Sequence, residues 1–156
     1  MKIIKRSLIT SIMFNCLVGG VVALGTLDVQ AAKAPMSQDA LEKESNLIVT
    51  GEVVSMTSKV QRSKYERSFG IHRDRVYTIK LKVTSISKGT GVKRKQEIVV
   101  EAWKPSIRFP ALPGLQGHVP LPGKGDTVKM YLLRDEQTKM CKPLLPNGID
   151  IKKKAK

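Results

Sequence analysis

Residues Val76–Gly89 read VYTIKLKVTSISKG, and their spacing sets the class of structure the chain can form. Tyr77, Ile79, Leu81 and Val83 alternate with Thr78, Lys80, Lys82 and Thr84, the period of two that sends successive side chains to opposite faces of a strand. One face is apolar and predicts burial; the other is basic and predicts solvent. The alternation slips at Ser85-Ile86, as it does at a β-bulge, and Lys88-Gly89-Thr90-Gly91 then turns the chain.

Similar patterns lie on both sides. Upstream, Leu47–Met56 reads LIVTGEVVSM, rich in β-branched residues, with Gly51 removing a side chain in mid-strand. A glycine there predicts a bend or a close backbone approach, as where one coiled strand serves two sides of a small closed sheet. Downstream, Glu97–Trp103 and Thr127–Arg134 alternate in the same way, and a short strand near Lys139–Leu145 is limited to an edge by Pro143 and Pro146. Before the first strand, Met36–Ser45 predicts a helix of about two turns, with Ser37 as cap and Asp39 in the first turn. The sheet is expected to close around Leu81, Val83, Val100 and Leu132.

Two long connections separate these elements. Residues 104–125 carry five prolines and four glycines, a composition that predicts no regular element across them. Residues 61–75 hold Arg62, Lys64, Arg67, Arg73 and Arg75 against Glu66 and Asp74 and read as a basic loop. The tail IKKKAK, residues 151–156, reads as a frayed basic end.

The amino-terminal segment reads as an address rather than as fold. Lys2, Lys5 and Arg6 precede an uncharged run from Ser7 to Thr26, and Val29-Gln30-Ala31 offers a cleavage site after Ala31. A cleaved signal peptide over 1–31 predicts a secreted, periplasmic or envelope protein; the alternative is an uncleaved anchor, because the run approaches the length that spans a bilayer. With 28 Lys plus Arg against 13 Asp plus Glu, the chain has a formal net charge of +15, nearly all of it outside the leader. A hydrophobic fraction of 41% over 156 residues suffices for one compact domain and argues against a wholly disordered chain. Removal of the leader also removes Cys16, leaving Cys141 alone and predicted to be a buried thiol.

Motifs for catalysis are thin. His72 and His118 both fall in the long connections, so they read as loop histidines, and no spacing brings either to Cys141. No paired histidines and no CxxC predict a metal, no cofactor motif is present, and GHVPLPGKG departs from a phosphate loop in spacing and in the residue after Lys124. Charge is the stronger signal. Arg62, Lys64 and Arg67 in one loop and Lys93, Arg94 and Lys95 in another are the candidate basic patch for an acidic polymer or protein surface, with a membrane surface a further partner of that charge. Trp103, Arg108, His118 and Tyr131 are candidates for docking a protein partner beside the 104–125 loop. Export argues against a nucleic-acid partner.

The order LIVTGEVVSM, VYTIKLKVTSISKG, EIVVEAW, a Pro/Gly loop, GDTVKMYLL and KPLLPNG resembles exported bacterial proteins with an OB-type barrel of the netrin and metalloproteinase-inhibitor-like kind, over about residues 40–150. The resemblance implies an all-β fold, a five-stranded antiparallel Greek-key barrel that binds through loops or an exposed sheet face. With the leader, helix and tail read from the residues, the expected layout is signal peptide (1–31), a short segment with a helix (32–46), the barrel (47–150) and a basic tail (151–156). The animal inhibitors act through an amino-terminal cysteine; the expected mature start is Ala32-Lys33-Ala34, so that route does not carry over. The expectation is an exported, non-enzymatic binding module for an acidic partner, the alternative being a protein-interaction or inhibitor-like module working through 104–125.

Overall fold

The computed structural model of the chain describes residues 33–64, 70–111 and 117–152. Ser37 Oγ accepts the Ala40 N–H at 3.3 Å and starts α1 (Gln38–Glu44), whose buried residue, Leu41, packs with Ile48, Tyr131 and Leu144. Lys88 Nζ donates to the Glu42 and Lys43 carbonyls at 2.6 and 3.4 Å, meeting the negative end of that helix. The rest is mainly strand: β1 (Leu47–Arg62), β2 (Ile71–Lys88), β3 (Glu97–Phe109), β4 (Thr127–Arg134), β5 (Cys141–Pro143) and β6 (Ile149–Lys152).

The strands close on themselves. β1 pairs antiparallel with β2 along its length, and its first six residues, Leu47 to Glu52, pair on their other edge with β4. β2 continues to β3, β3 to β5 in parallel, and β5 to β4, so five strands form a ring; β6 adds to β4 outside it. Leu47, Val49, Val53, Ile79, Leu81, Val83, Val100, Val128, Met130 and Leu132 fill the interior, none more than 1% exposed. The four side chains expected at the centre are therefore all buried. β-bulges flank the expected slip: one at Thr84, since Gly51 opposes Val83 and Thr50 opposes Ser85, and one at Ser87, since Val49 opposes Ile86 and Ile48 opposes Lys88; a third lies in β1 at Val54.

Three strands run further than their apolar alternation predicts. The 61–75 connection is largely strand, because β1 reaches Arg62 and β2 begins at Ile71. β3 likewise enters the proline-rich stretch and ends at Phe109. Pro105 is tolerated because it sits at a register shift, opposite Asp74, on a part of β3 with a strand on one edge only. Ile151 and Lys152, read as tail, belong to β6. Past the ring, β1, β2 and β3 thus continue as a three-stranded extension. The expected signal peptide lies outside the described residues, among which no helix is long and apolar enough to cross a membrane.

Gly51 is where β1 is hydrogen-bonded on both edges, opposing Val83 on β2 and Val128 on β4. A Cβ there would stand 2.5 Å from the Lys82 carbonyl oxygen and 2.9 Å from Leu81 Cγ, and a backbone atom cannot rotate away. Gly51→Ala is expected to lower stability by about 2 kcal/mol, read as a lower urea midpoint at unchanged slope. Gly123→Ala, whose Cβ would meet Asp126 Oδ2 at an ordinary 3.5 Å, is expected to change it by less than about 0.5 kcal/mol.

Candidate functional site

The six bases nominated for one patch occupy two ends of the molecule. Arg62 closes β1 and Lys64 follows it, while Arg67 lies outside the described residues. Lys93, Arg94 and Lys95 form the opposite turn, between β2 and β3, where Lys95 adopts φ 66° and donates its N–H to the Val83 carbonyl at 2.7 Å. Arg94 Nε is tied to the Thr84 carbonyl at 3.0 Å. Arg62 opposes Arg73, and from Arg73 to Thr84 the strand advances about 36 Å at roughly 3.3 Å per residue. No single patch unites the two groups.

The four docking candidates do mostly internal work. His118 is buried: Nδ1 accepts the Trp103 N–H at 3.0 Å, Nε2–H donates to the Pro143 carbonyl at 3.0 Å, and the His118 N–H donates to the Trp103 carbonyl at 2.9 Å. These bonds define a neutral imidazole that clasps its loop to β3 and β5. Burial pushes its pKa below the ordinary value, outweighing the Pro143 and Trp103 carbonyls beside the ring nitrogens, which act in the opposite direction. Trp103, half-buried, meets the His118 ring edge-on at 6.3 Å. Tyr131 is 4% exposed and seats α1, its ring 4.8 Å from the Lys129 ammonium. Arg108 pairs with Asp74 and donates to the Arg73 carbonyl at 2.6 Å. His72 is buried too, within β2, so neither histidine is the exposed loop residue that the sequence predicts.

His72, Asp74 and Ser63 are all buried near the end of the extension, yet they are not wired as a nucleophile relay. Asp74 gives its carboxylate to Arg108, and His72 Nδ1 has no hydrogen-bond partner. Cys141 is buried 1% exposed, and burial raises its thiol pKa, which disfavours the reactive thiolate. Among the described residues no group of three His, Cys, Asp or Glu could hold a metal.

Cross-strand register exposes a different constellation. Directly opposed residues share a face. Arg62, Arg73 and Ile107 form one row, Val60, Arg75 and Lys104 the next on the same face, and Ile71 with Phe109 the outermost. In the intervening rows, His72 opposes Arg108, and Gln61, Asp74 and Pro105 align, so these point to the other face. Four bases from three neighbouring strands therefore stand together. No Asp or Glu of the described rows shares their face. Arg75 and Lys104 oppose one another directly; like charges so placed repel, and a bound anion relieves that repulsion. The sequence assigns Arg73 and Arg75 to a basic loop rather than to a strand face, because their charges interrupt the apolar alternation of β2, and it does not single out Lys104. The signal is present in the spacing alone: 71, 73 and 75 continue the odd-numbered face of Tyr77 and Ile79.

The His118 clasp sets a pH dependence. In the unfolded chain imidazole takes up a proton near its ordinary pKa of about 6.5, whereas the folded group resists protonation. Stability is therefore full above that value and falls as pH drops toward the folded pKa, by up to about 1.4 kcal/mol per pH unit for this one group. In urea titrations between about pH 7 and 5, the parent midpoint is expected to fall more steeply with acid than that of His118→Gln. No protein family, curated protein or solved structure matches the chain.

Proposed function

We propose that the chain is an exported, non-enzymatic binding module of the OB-type barrel kind, and that it takes an acidic partner on the extension formed by β1, β2 and β3. The carrying observation is the cross-strand placement of Arg75 with Lys104, beside Arg62 and Arg73, on a face that holds no carboxylate among the described rows. A formal net charge of +15 draws polyanions toward the molecule from any side, and this cluster gives them a place to dock. The Asp74–Arg108 pair on the reverse face supports the arrangement, because it keeps the one acid of that stretch of β2 away from the bases. The ring of strands and its leader-like start support the barrel and export readings.

Chromatography on immobilised heparin tests the proposal. Arg75→Glu/Lys104→Glu is expected to weaken retention, with an affinity loss on the order of tenfold at moderate salt. Lys93→Glu/Lys95→Glu, equal in charge change and about 36 Å away along β2, is expected to elute close to the parent. Equal loss from both variants would mean that net charge alone drives retention, and the site assignment would fail.

A further inference from the structure

The extension is built inside out. Its polar face is the covered one: Ser63, His72 and Asp74 are 5%, 1% and 7% exposed. Its other face leaves apolar side chains in water, with Val60, Ile71, Ile107 and Phe109 exposed, Phe109 at 70%. All four share the face of Arg62, Arg73, Arg75 and Lys104. Exposed apolar side chains gathered at one place, bordered by charge, mark an interaction surface.

From this arrangement we infer that the end of the extension docks on an anionic lipid bilayer, with Ile71 and Phe109 entering the acyl boundary and the bases holding lipid phosphates. The inference rests on the acidic-partner reading above and names the class of that partner. Order along the strands is its geometric basis. The Ile71–Phe109 row is the outermost of the described rows, Arg73 stands two residues behind Ile71 and Arg75 four, which at about 3.3 Å per residue sets the bases roughly 7 and 13 Å back. An interface presents acyl chain first and phosphate next, over a similar distance, and basic side chains reach up to phosphates while their stems lie in apolar surroundings. A soluble polyanion meets Arg75 and Lys104 and leaves Phe109 in water. A second copy of the chain would set four bases against four of the same sign. The bilayer alone among these supplies both partners.

Ion-pair and hydrogen-bonded support lies behind the face. Arg108 ties β3 to β2 through the Asp74 carboxylate and the Arg73 carbonyl, and the Ser63 N–H donates to the His72 carbonyl at 3.0 Å, joining the end of β1. The three strand ends are thus held in register before any partner arrives, so little ordering is charged against docking.

The test uses the protein as its host cell processes it, with vesicles of phosphatidylcholine alone and of phosphatidylcholine mixed with phosphatidylglycerol. Sedimentation with the anionic vesicles but not the neutral ones is expected. Ile71→Ser/Phe109→Ser is expected to reduce vesicle affinity about tenfold or more, as two apolar side chains are lost from the acyl boundary. Arg75→Glu/Lys104→Glu is expected to reduce it by at least about fivefold per charge. Phe109→Trp, which needs no loss of fold at so exposed a position, is expected to be quenched by lipids brominated in the acyl chain. Retention on heparin without binding to anionic vesicles overturns this inference and leaves the acidic-partner reading standing; loss of both overturns both. Vesicle binding unchanged by Ile71→Ser/Phe109→Ser, without quenching of Phe109→Trp, makes the contact purely electrostatic and overturns insertion. Equal binding to neutral vesicles overturns the role of phosphates.

Discussion

Closure of the ring depends on β1 being hydrogen-bonded on both edges across Leu47 to Glu52, and that depends on residue 51 carrying no side chain. Two strands must approach one another over the same six residues. At Gly51 the Lys82 carbonyl comes so near that even a methyl group has no room. The bulge at Thr84 lets β2 bend around this point, and the apolar side chains of β1, β2 and β4 converge inside as a result. With β1 bound to β2 alone the sheet would be open, and Val128, Met130 and Leu132 would lose their covering.

The same strands obey the opposite rule beyond the ring. Inside it, odd-numbered residues of β2 such as Ile79, Leu81 and Val83 face the core; further toward the start of the strand that face carries Arg75, Arg73 and Ile71. A continuous strand cannot exchange its faces without a bulge, so the core face simply runs out into solvent. The reverse face, solvated along Lys80 and Lys82, becomes the covered one at Asp74 and His72. Burying an ion pair such as Asp74–Arg108 is weak as a source of stability, because desolvation offsets much of the attraction. Its structural effect is placement: it removes a carboxylate from the region where four bases gather.

Much of the ring was legible in the residues. β4 spans Thr127–Arg134 in both the alternation and the structure, because Val128, Met130 and Leu132 alternate cleanly and Gly125-Asp126 precedes them. The slip at Ser85-Ile86 marks a bulge one residue from where it lies, and Gly51 marks the shared strand. The extension was illegible because apolar alternation is the signal for a strand with a buried side, and here the buried side is Ser63, His72 and Asp74. The candidate site was half legible. Arg62 belongs to it, but grouping bases by nearness in sequence joined Arg62 to Lys93, Arg94 and Lys95 at the far end and missed Lys104, which reaches the face across two strands. His118 was misread since its partners are backbone atoms of Trp103 and Pro143, and no residue type advertises those.

β5 is the thinnest member of the ring. It has three residues, meets β3 at a single opposed pair, Val100 with Cys141, and includes Pro143, which has no N–H to give. Local opening of a protein starts where few hydrogen bonds must part together. The seam between β3 and β5 is therefore the place where the ring breathes, and the thiol of Cys141 sits on it. A covered thiol at the weakest seam acts as a built-in clock: the rate at which it meets a reagent in solution counts the openings of the cylinder, with no label added and the remaining strands undisturbed.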